Sequence, residues 1–357
     1  MILNKFDNTF SAHDFSKLIG MESRVEKLKS RLAMESNDVR MIGIWGTGGM
    51  GKTTLARVVF EMVSNKFEAC CFIDNVREEA KKYGLHKIQQ ILLRKLLNYR
   101  DLEVDNVHDG VRMIKSRLCK KKILLVLDDI NDSKHLENLA GERCWFGSGS
   151  RIMITTRDRH LLGLCEEEIY EAEELNHDEA LKLFSLKAFK MDHPIEDYGK
   201  LSQAFVDYCK GLPLALEVLG SFLFNKSIGE WKDELRRLRN EFCDREGILN
   251  VLQISFNGLT EYEKEIFLDI ACFFNHMNQD DVKKILDWLG LYPIIGLRVL
   301  KDKSLIKLHE NQLWMHDLLQ NMGRHTVCLG RDPEKRSRLW SFDDIDNVLT
   351  ENTVRRY

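Results

Sequence analysis

The sequence predicts three successive parts: an α/β domain on a parallel sheet with helices on both faces, a small helical domain and a winged-helix domain. Three observations lead there. In the first half, short, nearly continuous apolar runs alternate with segments of helical periodicity, the pattern of strands buried on both faces. After Glu173 the pattern changes to helical spacing. Toward residue 340, helices lead into two short β-type runs, as a hairpin wing would.

Taken in order, residues 39–45 form an apolar strand ending in a glycine-rich turn. Residues 52–63 carry Leu55, Val58, Val59 and Met62 at helical spacing. A second strand is expected at 69–73, helices at 84–98 and 109–119, and further strands at 122–127, 151–156 and 169–171. Residues 15–172 thus make the α/β domain, preceded by a linker over 1–14. Helices at 178–189, 198–209 and 214–224 place the helical domain at 173–245. Helices at 261–274, 280–289 and 294–301, strands at 305–308 and 312–315, and a helix from His316 place the winged-helix domain at 246–340. Residues 341–357 are expected to be a linker.

The turn after the first strand reads Gly46-Thr47-Gly48-Gly49-Met50-Gly51-Lys52-Thr53-Thr54. It fits the phosphate-binding P-loop, with a strand running in and a helix running out. The glycines let several backbone N–H groups approach one anion, and the helix adds its positive end. Lys52 is expected on the β- and γ-phosphates, the Thr53 hydroxyl on Mg²⁺ and Thr54 on the α-phosphate. The first part is therefore an α/β P-loop NTPase domain that takes ADP or ATP with Mg²⁺. Strand 122–127 delivers Asp128-Asp129 to the same sheet edge. Asp128 is expected to hold the metal through its water shell, and Asp129 to orient or deprotonate a water. Strand 151–156 delivers Arg157, which on residue chemistry alone reads as a surface arginine.

Composition narrows the class. The chain has 357 residues, 44% hydrophobic and 31% charged, with net charge −3. No apolar run approaches the ~20 residues of a membrane span. Residues 1–15 lack the apolar stretch of a secretory signal. Nine cysteines without a C-x-x-C pair read as reduced, buried thiols, and 11 scattered histidines give no metal-ligand spacing. Residues 261–340 hold 12 basic and 12 acidic residues, too little excess for nucleic acid to be an expected partner.

These motifs together resemble the NB-ARC module of plant intracellular immune receptors with leucine-rich repeats, in the subclass with an N-terminal Toll/interleukin-1-receptor domain. The segment Leu18-Ile19-Gly20-Met21-Glu22-Ser23-Arg24 resembles the part that packs near the adenine. Gly149-Ser150-Arg151 through Thr155-Thr156-Arg157 resembles the sensor strand. Gly211-Leu212-Pro213-Leu214-Ala215 resembles the motif whose proline meets the base. Met315-His316-Asp317 resembles the motif whose histidine approaches the β-phosphate of ADP. The run from Phe267 to Phe274 and the paired Asp128-Asp129 resemble the Toll-type subclass.

The resemblance implies a cytoplasmic switch, with the nucleus as a second compartment. ADP would hold it at rest, and ATP would open it and drive homo-oligomerisation. Its partners would be Toll-like and leucine-rich-repeat domains lying outside this chain and, indirectly, a pathogen effector. Without the resemblance, Pro213 reads as a helix-starting proline and His316 as a packing residue at a helix start. A turnover P-loop ATPase and a nucleotide-gated winged-helix DNA-binding regulator stand as alternatives.

Overall fold

A computed structural model describes residues 18–241, 247–328 and 336–350. The chain divides into two compact units, residues 1–174 and 175–357.

The first unit is a five-stranded, all-parallel sheet of order β2-β3-β4-β1-β5. Its strands are β1 (Arg40–Trp45), β2 (Ala69–Ile73), β3 (Ile123–Ile130), β4 (Arg151–Thr156) and β5 (Ile169–Glu171). Alternate residues along each strand serve opposite faces. Ile42, Ile44, Leu124, Val126 and Met153 join the core under α1 (Met21–Leu32) and α2 (Lys52–Val63). Met41, Ile123, Leu125, Leu127, Ile152 and Ile154 join the core under α4 (Leu85–Leu97) and α5 (Val107–Leu118). Both faces being covered explains why the strands read as continuous apolar runs.

Three helices of this unit lie outside the expected elements: α1, α3 (Val76–Tyr83) and α6 (Ser133–Ala140). In α3 only Val76 is buried, so no apolar stripe exists to be read. The third strand also runs further than its apolar residues. It continues through Asp128 and Asp129 to Ile130, with a register shift after Leu127 and Ile130 facing Thr156.

The second unit begins with α7 (His177–Ala188), whose Asn176 and Glu179 form a reciprocal cap. α8 (Gly199–Cys209), α9 (Pro213–Leu223) and α10 (Ile228–Glu241) follow. Trp231 is fully buried among Phe184, Phe189, Tyr198 and Phe205, with ring centroids 4.9–5.7 Å away. After α11 (Gly247–Asn257), α12 (Glu261–Asp269) passes into a π turn, Ile270–Phe274. α13 (Gln279–Trp288) and α14 (Pro293–Asp302) lead to the antiparallel hairpin β6 (Lys307–His309) and β7 (Gln312–Trp314), then α15 (Asp317–Cys328). The expected fold class, a parallel α/β layer, a helical region and a winged helix, is therefore found.

Several features differ from expectation, among them α10 and α11, which stand where no element is expected. The stretch expected as a terminal linker holds a helix, α16 (Phe342–Thr350). Just before it, Arg338 is buried and bonds Asp269 at 2.6 Å and Glu265 at 2.7 Å. Among the described cysteines, Cys119 and Cys144 are exposed, whereas Cys70, Cys71, Cys165, Cys209 and Cys272 are buried thiols. Cys243 lies outside the described residues.

Candidate functional site

The carboxyl edge of the sheet gathers the polar residues. β1 ends in the loop from Gly46 to Gly51, and Gly49 and Gly51 both have φ 83°. Gly51 caps α2 from that left-handed conformation, its carbonyl accepting the Leu55 N–H at 2.9 Å. The amides of Lys52, Thr53 and Thr54 therefore precede the helical ladder and point at the loop. Gly48 completes the glycine run, and Gly46 sits so close to Ala172 that an added Cβ would lie 3.0 Å from that methyl. Thr54 is half-buried on the first turn of α2.

Lys52 is buried and its ammonium donates to the Thr47 carbonyl at 2.7 Å, folding over the loop. Burial first, and the nearby Arg157 second, lower its pKa to about 8, with Asp129 and Asp128 working in the opposite direction. The Thr53 hydroxyl donates to Asp128 Oδ1 at 2.7 Å, and the Thr155 hydroxyl to the same oxygen at 2.6 Å. Burial raises the Asp128 pKa against those two hydrogen bonds. A buried carboxylate held by hydroxyls, beside a helix-start threonine, is a donor set of hard oxygens that suits Mg²⁺.

β4 lies between β1 and β3, so one strand separates the P-loop strand from Asp128, about 4.8 Å to each side. Its exit residue, Arg157, faces Asp129 with Nε 3.5 Å from Oδ1. Asp129 has φ 55°, a left-handed conformation that aspartate tolerates better than most residues. Its N–H donates to Thr155 Oγ1 at 2.8 Å, and its second oxygen lies 3.1 Å from an Arg77 nitrogen. Each oxygen of the residue expected to handle a water thus faces a guanidinium. Arg77 was not singled out from the sequence. Its partner lies 52 residues ahead on another strand, a pairing only the sheet order creates.

The remaining expected residues sit apart from this cluster along the chain. Ile19 is half-buried in the turn before Gly20, which caps α1. Arg24 on that helix donates to the Glu174 carbonyl at 2.7 Å, and Lys27 pairs with Glu173 at 2.6 Å, so the segment packs along the end of the first unit. In the second unit Pro213 opens α9. His316 precedes α15, its carbonyl accepting the Gln320 N–H at 2.9 Å. Its Nδ1 lies 3.1 Å from the Leu318 N and 2.7 Å from Asp317 Oδ1.

A phosphate loop, a hydroxyl-held aspartate and an arginine on the strand between them have the residue order of one known domain. The NB-ARC domain profile matches residues 21–194, and that of the disease resistance protein Roq1-like winged-helix domain matches 260–329. This chain belongs to the NB-ARC family. It is 44% identical over 339 residues to disease resistance protein RUN1 of Vitis rotundifolia, and 43% identical over 344 residues to TMV resistance protein N of Nicotiana glutinosa. Both matches take in 94% of this NB-ARC chain but only 25% and 30% of those proteins. The chain thus spans between a quarter and a third of their length. In structure it is similar to a signal transduction ATPase with numerous domains (STAND) from Pyrococcus horikoshii, which carries a tetratricopeptide repeat sensor. The TM-score is 0.54 at 21% identity, covering 90% of this chain and 45% of that one. That likeness concerns the fold. Among the described residues no helix is long and apolar enough to cross a membrane.

Proposed function

We propose that this NB-ARC chain is the ADP/ATP switch of a plant disease-resistance receptor, at rest with ADP and opened by ATP into a form that oligomerises. The observation that carries the reading is the Lys52–Thr53–Asp128 cluster at the start of α2, where phosphate donors and metal oxygens meet. Thr53 and Asp128 are the residues that would hold Mg²⁺, which when bound supplies positive charge to the terminal phosphates. Gly46, Gly48, Gly49, Gly51, Lys52 and Thr54 cradle the phosphates, and Arg157 reads the terminal one. The roles expected of Ile19 and Pro213 toward the base, and of His316 toward the β-phosphate, belong to the same proposal. So do the cytoplasmic location, the Toll-like and leucine-rich-repeat neighbours and an indirect response to a pathogen effector. Slow hydrolysis accompanies a switch, whereas a turnover ATPase would release phosphate continuously.

The test is the identity of the nucleotide freed when purified protein is denatured. Near-stoichiometric ADP is expected. Added ADP at about 100 times its dissociation constant should stabilise refilled protein by about 2.7 kcal/mol. Protein that purifies empty and shows no thermal shift with ADP would reject the proposal.

Lys52 adds a second measurable consequence. With its pKa near 8, the free protein at pH 8 holds this ammonium about half protonated, and an arriving phosphate favours the charged form. ADP binding without Mg²⁺ at pH 8 should therefore take up on the order of half a proton, and affinity should fall as pH rises past 8. Calorimetry in buffers of different ionisation heat reads the uptake directly. A binding heat independent of buffer at pH 8 would show that the phosphates do not reach Lys52.

A further inference from the structure

Beyond the P-loop and Arg157, the same sheet edge carries a second cation that neither the sequence pattern nor the family match assigns. Arg77 stands on the first turn of α3, directly after β2. Its guanidinium lies 3.1 Å from Asp129 Oδ2, while Arg157 Nε lies 3.5 Å from Oδ1 of the same carboxylate. Burial lowers the pKa of Arg157 most, and Arg77 is close enough to push it the same way, against Asp129. Two like charges thus share one carboxylate, although Arg77 also lies 3.7 Å from Glu78. Asp128 and Lys52 are buried there, so charge at this edge is weakly screened.

A carboxylate held by two guanidiniums aligns both of them. The geometry around Asp129 is fixed from three sides: its own left-handed backbone, the N–H bond to Thr155, and the two ion pairs. Through Thr155 it is also tied to Asp128, and through Asp128 to Thr53 on the P-loop helix. One continuous polar chain therefore runs from the phosphate loop to Arg77.

We propose that Arg77 is a second reader of the terminal phosphate, and that Asp129 is the positioning carboxylate that holds Arg77 and Arg157 as a pair toward it. The proposal rests on the nucleotide-binding reading above. A triphosphate brings one more anionic group than a diphosphate to this edge, and planar guanidiniums match phosphate oxygens in pairs. The pair therefore distinguishes ATP from ADP. Asp129 acts here by placement and not as a base.

The experiment measures dissociation constants for Mg²⁺–ADP and for a non-hydrolysable Mg²⁺–ATP analogue on nucleotide-free protein, wild type beside Arg77→Ala, Arg77→Lys and Asp129→Asn. In Arg77→Ala the triphosphate analogue should bind about 10- to 100-fold more weakly while ADP changes less than about threefold. Arg77→Lys should recover part of that loss, because it keeps charge without the fork. Asp129→Asn should weaken the analogue more than ADP, by less than Arg77→Ala does. An unchanged analogue affinity in Arg77→Ala, or equal losses for both nucleotides, overturns the proposal and leaves Arg77 as a tether for α3. Wild-type protein that binds neither nucleotide overturns instead the reading on which it rests.

Discussion

Replacing Arg151 by methionine should destabilise the nucleotide unit by about 3–5 kcal/mol, the largest single-residue loss expected in it. Arg151 is fully buried on β4, and its ion pair with Asp38 is a long one, 3.6 Å. Its guanidinium donates mainly to backbone carbonyls: Leu32, Ala33 at 2.7 Å, Ser36 at 2.8 Å, Asp38 at 2.6 Å and Ser150 at 2.9 Å. Four of these belong to the last residue of α1 and the connector from it to β1, which has no ladder of its own. Arg151 serves as its hydrogen-bond scaffold. Removing the side chain leaves those acceptors without partners beside a space the guanidinium filled, and unmade buried hydrogen bonds cost more than made ones contribute. The melting temperature should fall by roughly 6–20 °C at 2–4 °C per kcal/mol. Lysine should not restore it, because one ammonium cannot span carbonyls that a planar fork reaches together. An Arg151→Met protein within about 1 kcal/mol of wild type would mean that water takes over these carbonyls. The functional link is direct: β1 leads from this connector into the phosphate loop.

What the sequence made legible follows from what each element buries. The strands at 69–73, 151–156 and 169–171 were readable to the residue because both faces meet helices, so their apolar runs start and stop with the ladder. β3 was read three residues short. Asp128 and Asp129 end its apolar run, but the backbone pairs on to Ile130 past a register shift. Among the expected site residues, Gly46 through Thr54 form one local loop, so their spacing alone makes the motif legible. Asp128 was legible as the acid at the end of a buried strand. Arg77 was not, because α3 carries five charged residues in eight and only Val76 goes inward. Nothing in that composition marks one arginine among its neighbours. Arg151 is legible only as part of a family motif, since a buried arginine bonded to carbonyls has no sequence period.

The second large effect should carry opposite signs in two assays of one variant, Lys52→Met. In the nucleotide-free protein Lys52 is a buried ammonium whose pKa is lowered to about 8 from 10.5. The unfolded chain therefore binds this proton more tightly than the folded one. Below pH 8 both states are protonated and the folded state bears the whole cost. Between pH 8 and 10.5 the folded state releases the proton first and the cost shrinks; above 10.5 it is gone. At about 1.36 kcal/mol per unit, the cost below pH 8 is about 3 kcal/mol. Methionine fills similar volume without charge, but it gives up the bond to the Thr47 carbonyl, about 1 kcal/mol. The empty variant should therefore unfold about 1–2 kcal/mol harder than wild type at pH 7, and the advantage should vanish as pH rises through 8 toward 10.5. With nucleotide the order reverses. Losing a charge-assisted contact of about 1.5–3 kcal/mol lowers ADP affinity by about 10- to 100-fold, and ADP at a concentration that saturates wild type then protects the variant little. Paired denaturant titrations, with and without ADP at pH 7 and pH 10, separate these effects. A variant less stable than wild type when both are empty would mean that Lys52 holds the loop together, and the buried charge would then not be held in readiness for a phosphate.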